Sequence, residues 1–429
     1  MKKYDEYKDS GVAWIGEVPK HWEVKKMNYH CSTITDFVAS GSFADLRKNV
    51  LYLDEPDYAM LIRTADLSSN DRKLPPVYIS KCSYEFLSNS NLFGGEVVLP
   101  NIGASIGNVY MVPKLYKHMS LAPNAIMVKS YGNDRFLYYY FKSKPGVDSL
   151  MLIGMAAAQD KFNKTELRSL KVLVPPLGEQ VAIATYLDTH CAKIDNLISI
   201  QQKRIALLQE LKQSVITHAV TKGLNPNVEM KQSGVEWIGD VPKHWEYCRF
   251  KDFMLLQTTA SNSNNKIGLE NIESRSGRFI YTGSEFEGNG IEFSNQDIIY
   301  GKLRPYLQKV WLATFDGNAV GDFFVFRMKS NSCPSFVKYL MLSDGYTKET
   351  DGSTIGAKMP RVSSDFILTM HYCLPPITEQ AAIASYLDRK CATIDTSISN
   401  AQHQIELLQE YKQSLITEVV TGKRKVTDN

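Results

Sequence analysis

The chain has 429 residues, 44% of them hydrophobic and 22% charged, with a net charge of +3. That length exceeds one ordinary core and implies two or three domains, and the composition excludes wholesale disorder. The charge says little about partners, because a local basic face fits inside a near-neutral sum.

Seven cysteines stand at 31, 82, 191, 248, 333, 373 and 391, with no CxxC pair and no zinc-finger spacing to His. An odd, scattered set fits a reducing cytosol, so the expected location is cytoplasmic. The opening MKKYDEYKDSG has no apolar core of a secretory signal. The longest apolar run, Leu150 to Ala158, is too short to span a bilayer.

The first element is a Trp-rich leader, SGVAWIGEVPKHWE, from Ser10 to Glu23; SGVEWIGDVPKHWE returns at Ser233 to Glu246, identical at 12 of 14 positions. Gly and Pro exclude a long helix there. Trp14 and Trp237 are expected to be buried plugs that anchor the leader, and His21 and His244 to be structural.

Between leader and helix, Val24 to Val174 forms a first insert. Strand-like runs cover 58–63, 96–99, 108–112 and 125–128, and 134–143 reads as a short helix. A small-residue loop spans Asn101 to Gly107. The insert carries 18 Lys/Arg against 13 Asp/Glu.

A helix follows. Pro175–Thr221 and Pro375–Thr421 align without gaps, with 29 of 47 positions identical. Leu187, Cys191, Ile194, Ile198, Gln201, Ile205, Leu208, Lys212, Val215 and Ala219 repeat at alternating spacings of four and three, as do Leu387, Cys391, Ile394, Ile398, Ala401, Ile405, Leu408, Lys412, Leu415 and Val419. This is a heptad seam, interrupted by Lys212 and Lys412. Each helix is expected to run about 42 residues, roughly 63 Å. Pro176 and Pro376 stop extension at the start, and Gly223 at the end of the first. A helix that long needs a partner, so the two are expected to pair as an antiparallel coiled coil. The alternative is that each packs on its own domain.

The second insert, Tyr247 to Leu374, follows the same plan loosely. Strands are expected within 293–300, at 310–313 and at 323–327, and a helix at 335–342. GKLRPYLQK (301–309) replaces the small-residue loop. Its charges are 14 Lys/Arg against 13 Asp/Glu. Each insert reads as a compact α+β domain. The frame is thus written twice with pseudo-two-fold symmetry, while the inserts differ.

No Walker A loop is present, and the Pro-Pro pairs lack the flanking residues of an adenine methyltransferase motif. Gly103–Gly107 (GASIG) fits G-x-S-x-G in outline, without a strand-elbow-helix context or an evident His/Asp pair. No metal site and no catalytic residue is expected. A hydrolase using Ser105 and a non-DNA two-module coiled-coil scaffold are the competing readings.

The duplicated W-I-G-x-V-P-x-H-W-E leader, the P-P-x-x-E-Q-x-x-I-A-x-Y-L-D segment and the L-L-Q-E-x-K-Q-S-x-I-T-x-x-V-T tail resemble the DNA-specificity subunit of type I restriction-modification systems. The resemblance covers the whole chain. It implies an α+β fold: two target recognition domains, separated by two long antiparallel coiled-coil helices. The expected segments are 1–174 and 223–374 for the recognition domains with their leaders, and 175–222 and 375–429 for the helices. It further implies a non-catalytic subunit that binds a bipartite, asymmetric double-stranded DNA target and docks two adenine-N6 methyltransferase subunits. A restriction subunit can join. The chain itself needs no cofactor: S-adenosylmethionine belongs to the methyltransferase, ATP and magnesium to the restriction subunit. No membrane is implied.

Cations and amides in loops are the candidate DNA contacts, since Lys and Arg clamp phosphates, Arg takes guanine edges and Asn adenine edges. In the first insert these are Arg63, Lys81, Asn101, Ser105, Asn124, Lys161 and Lys164. In the second they are Arg275, Lys302, Arg304, Tyr306, Lys309, Lys358 and Arg361. GKLRPYLQK resembles a loop-strand element common in such domains, with Asn101–Gly107 as its expected counterpart.

Overall fold

The computed structural model describes residues 3–68, 74–155, 160–262, 265–356 and 358–426. It divides into two compact units. One comprises Met1–Ile200 with Gln404–Asn429, the other Gln201–His403. Two long helices, Leu177–Lys222 and Ile377–Val420, each contribute one half to each unit. They begin directly after Pro176 and Pro376, a turn earlier than the heptad pattern suggests. Proline tolerates a following helix start, and Gln180 and Gln380 turn back to donate to the carbonyls of Pro175 and Pro375 at 2.8 Å.

The first unit contains two four-stranded sheets. One runs in the order 31–36, 125–130, 97–100, 110–111, antiparallel throughout. The other runs 77–79, 59–62, 119–121, 91–92, with 59–62 and 119–121 parallel. The 97–100 strand is buried at every position, as its VVLP sequence requires. The 134–142 helix buries Phe136, Leu137, Tyr140 and Phe141 against this core. The apolar run from Leu150 closes a helix at Gly154; Ala156–Ala158 lie outside the described residues.

The second unit repeats the arrangement. One sheet runs 254–257, 323–328, 298–301, 310–312, again antiparallel; the other runs 260–261, 290–293, 317–319, 266–267 and ends in a parallel pair. Two inserts with little sequence similarity therefore share the order of the antiparallel sheet and a parallel pair in the other, whose remaining edge strands differ. The expected strands hold to within a few residues. The 293–300 run is split, however: Asp297, which bonds the Ser294 amide, turns the chain between 290–293 and 298–301.

Within each unit the helix halves run antiparallel. In the first, Lys412 Nζ meets the Asp195 carboxylate at 2.6 and 2.7 Å, and Leu187, Ile194, Leu415 and Val419 share one core. In the second, Lys212 meets Asp395 at 2.7 and 2.9 Å, and Ile216, Val220, Ile383 and Leu387 share the other. The seam lysines are thus paired with aspartates of the facing helix, and this pairing fixes register. The Lys212 side chain is only 10% exposed, so the charge needs its partner.

The leaders join the helix ends. Glu179 accepts from Tyr4, from Trp22 Nε1 at 3.1 Å, and pairs with His21. Burial pushes its carboxyl pKa up, but those hydrogen bonds outweigh it and hold the group below the ordinary value. Glu379 receives Trp245 Nε1 at 3.3 Å and His244 at 2.7 Å in the same way. The buried Trp residues of the leaders are therefore Trp22 and Trp245, both fully inaccessible. Trp14, expected as a plug, is 39% exposed, and Trp237 is half-buried on Gly345 and Tyr372. The second Trp of each leader has an indole N–H aimed at a carboxylate, which allows full burial; no such acceptor bond is present at the first among the described residues.

Truncating Trp22 or Trp245 to Ala is expected to cost about 3–5 kcal/mol, as for large buried aromatics, whereas Trp14→Ala should cost under about 1 kcal/mol. Equilibrium denaturation of the three variants measures this. Equal losses at Trp14 and Trp22 would contradict the assignment.

Candidate nucleic-acid interface

In each unit a loop leaves the third strand of the antiparallel sheet and is held by the same backbone scaffold. In the first, the Asn101 amide donates to the Asn124 carbonyl at 3.3 Å, Gly103 donates to Asp160 at 2.8 Å, and Ile102 bridges Lys161. In the second, Lys302 donates to Asp322 at 3.0 Å, Arg304 donates to Pro360 at 2.8 Å, and Leu303 bridges Arg361. Each loop then makes a short 3-10 turn, Gly103–Ser105 and Pro305–Leu307.

The two turns share their first backbone bond. Ile106 N–H donates to the Gly103 carbonyl, and Leu307 N–H to that of Arg304. Gly103 thus corresponds to Arg304 and Gly107 to Gln308. All four have left-handed backbone: φ is 65° and 91° at the glycines, 52° at Arg304 and 49° at Gln308. Glycine adopts that region freely; for other residues it costs roughly 1–2 kcal/mol. The second loop therefore carries two strained positions that the first fills with glycine.

This juxtaposition collects Asn101, Ser105, Asn124 and Lys161 at one loop cluster, with Ser105, Asn124 and Lys161 exposed. Asn101 Nδ2 is spent on the Phe162 carbonyl at 2.8 Å. Lys164 is near the same segment but paired with Asp36 at 2.7 Å. Arg63 and Lys81 belong elsewhere. Arg63 follows the parallel-paired strand and forks onto Asp66, whose hydrogen bond raises its pKa, and onto the Pro75 carbonyl. Lys81 opens a helix at 81–86 and lies 3.7 Å from Glu85. Ser105 sits in a 3-10 turn instead of a strand-to-helix elbow, which removes the geometry a hydrolase nucleophile would use.

The second cluster contains Arg275, Lys302, Arg304, Tyr306, Lys358 and Arg361. Arg304, Lys358 and Arg361 are exposed, and Tyr306 is 42% exposed. Asp322 neutralises part of it, with Arg361 at 3.1 Å and Lys302 at 3.8 Å. Lys302 also lies over the Phe324 ring. Arg275 joins the cluster because its amide donates to the Gln308 carbonyl at 3.2 Å. A groove of about 1180 Å³ with Arg275, Arg278, His218 and Lys348 on its walls opens beside it.

The family model for the type I restriction modification DNA specificity domain matches residues 28–210. The type I restriction enzyme MjaVIII specificity subunit of Methanocaldococcus jannaschii is 23% identical over 439 residues, 95% of this chain and 94% of the relative. A chain from a structure of complex assembly and conformational transition in the type I R-M system matches with TM-score 0.69. The match has 11% identity and covers 95% of this chain and 99% of that one. The HsdS subunit from Thermoanaerobacter tengcongensis matches with TM-score 0.53 at 13% identity, over 95% and 98%. Over almost its whole length the chain is therefore similar to type I restriction-modification specificity subunits.

One cation expected to face DNA is structural in this chain. Lys309 Nζ donates to the carbonyls of Leu269 and Ile272 at 2.6 and 2.7 Å, and burial lowers its pKa against the opposing pull of Glu270. The sequence suggested a phosphate partner; the fold gives it two backbone carbonyls instead. The same reasoning missed Asp322, Gln213 and Gln308. The first trims the positive charge of the cluster, and the other two hold its loop. The signal for Gln308 was available: aligning GASIG with RPYLQ puts Arg and Gln where the first copy has glycine.

Lys309→Met is expected to destabilise the subunit by about 1–3 kcal/mol, because two buried carbonyls lose a charged donor. Arg304→Ala should leave the unfolding midpoint within about 0.5 kcal/mol of wild type while weakening DNA binding. Denaturation curves and a duplex-binding titration on both variants check the pair. A folded, fully stable Lys309→Met chain with weakened binding would reverse the two assignments.

Proposed function

We propose that this chain is a type I restriction-modification specificity subunit, the non-catalytic DNA reader of its complex, each sheet domain recognising one half of a bipartite, asymmetric target. The observation that carries this reading is the paired loop: one topological position, used twice, displaying Ser105, Asn124 and Lys161 in one domain and Arg304, Tyr306 and Arg361 in the other. Equal placement with different chemistry is what two different half-sites require.

The frame supports a second part of the proposal. The joints at Glu179 and Glu379 use the same Trp and His residues of each leader. A surface written twice suits two copies of one partner, here the adenine-N6 methyltransferase subunit. A restriction subunit completes the cleaving form. S-adenosylmethionine is then the methyltransferase's cofactor, and ATP and magnesium the restriction subunit's.

The test is to express the chain with its host's methyltransferase subunit in a methylation-free background and map N6-methyladenine across the genome. A single new bipartite motif methylated on both strands is the expected result. A soluble, co-purifying complex that adds no methylation would refute the reading role. The logarithm of that complex's binding constant for duplex should fall linearly with log salt; a salt-insensitive association would favour a protein scaffold. Inserting one heptad into both long helices should lengthen the unread gap and leave both half-sites unchanged. A changed half-site with a constant gap would refute the spacer role.

A further inference from the structure

Gln308 is the residue that glycine would replace if backbone comfort were all that mattered. Its counterpart Gly107 has φ 91° in the same turn, whereas Gln308 is held at φ 49° and Arg304 at 52°. Arg275, whose amide donates to the Gln308 carbonyl, is also left-handed at 63°. Three non-glycine residues in this conformation surround one loop, and such positions persist where the surroundings over-determine them.

The surroundings do so here through the Gln308 side chain. Nε2 donates to Thr347 Oγ1 at 2.8 Å, on the helix Asp344–Gly352. Oε1 accepts from Gln213 Nε2 at 3.3 Å, on the first long helix. The residue is 4% exposed, so neither bond competes with bulk water. Its amide closes the turn on the Pro305 carbonyl. Gln308 therefore ties the turn that presents Tyr306 to two separate helices. Tyr306 and these three tying residues line one pocket of about 180 Å³. The first unit lacks this tie: the equivalent Gln413 donates instead to the Lys142 carbonyl, and Gly107 has no side chain to receive it.

We propose that Gln308, clamped by Gln213 and Thr347, is a positioning residue that aims Arg304 and Tyr306 at the second half-site. Recognition by the second domain is then referenced to the long helix, whereas recognition by the first is not. This rests on the DNA-reading proposal above. Strain at Gln308 is retained because the side chain, and not the backbone, carries the function.

The experiment uses the full chain with its methyltransferase subunit and reads the methylated motif genome-wide. Gln308→Gly keeps the left-handed backbone and removes the tie. Gln213→Ala removes the tie from its other end and keeps a strong helix former. Both variants are expected to loosen one half-site only, with methylation at sites mismatched in that half rising about tenfold relative to the cognate motif. The other half-site should stay as in wild type. Thermal unfolding of both variants is measured alongside, so that Gln213→Ala decides alone should Gln308→Gly fail to fold. An unchanged motif in the folded variants overturns the proposal. So does equal loosening of both half-sites, or uniform loss of methylation by an intact complex, since either assigns these residues to general stability. A wild-type chain that produces no bipartite motif refutes the DNA-reading role, an outcome separate from all of these.

Discussion

The fold depends on a buried indole handing its N–H to a glutamate at the start of a long helix. Glu179 with Trp22, and Glu379 with Trp245, join each leader to a helix. The terminus of the facing helix enters the same joint. Gly422, at φ 70°, lies so close to Pro19 that an added Cβ would sit 2.4 Å from the proline ring; Gly223, at φ 72°, lies beside Glu379 and Trp245. Glycine is needed there both for its backbone and for its missing side chain. One carboxylate thus fixes leader, helix start and opposing helix end together. The Lys–Asp pairs one to two dozen residues along then hold the helices in register.

This arrangement explains why the frame could be recognised in the sequence and the recognition surfaces only in part. The joint needs Trp, His, Glu and Gly at fixed spacings, and those residues repeat almost letter for letter. The heptad seam obeys a period that survives substitution, so Ile194 and Ile394 were legible without a structure. The antiparallel direction was an inference from symmetry, and Asp195–Lys412 and Lys212–Asp395 give its chemical reason. Which Trp is buried was not legible. Trp14 and Trp22 differ in whether a distant carboxylate faces the indole, and no local pattern encodes that.

The loops were harder for a related reason. A lysine in a polar loop looks the same in sequence whether it faces solvent or a carbonyl. Lys309 and Lys358 both read as contacts, yet Lys309 is held by Leu269 and Ile272, while Lys358 is exposed. Arg63 and Lys164 likewise have their carboxylates within the domain. Net charge over an insert cannot separate spent from free cations; only the fold's pairing does.

The two paired loops show how one scaffold can hold different chemistry. The backbone bonds at 101–103 and 302–304 involve main-chain atoms, so they place no demand on side-chain identity. What the scaffold does demand is left-handed backbone at two positions. The first domain meets it with glycine and gains a comfortable turn with little to anchor it. The second meets it with Arg304 and Gln308, accepts strain, and gains one cation in solvent and one amide wired to two helices. Loops of this kind can exchange exposed residues without disturbing the joints at Glu179 and Glu379, because no side chain is shared between the two systems. Apart from the Gln213–Gln308 tie in the second domain, the constant frame and the variable surface are therefore separable chemically, and that separation lets the repeated frame carry two unlike domains.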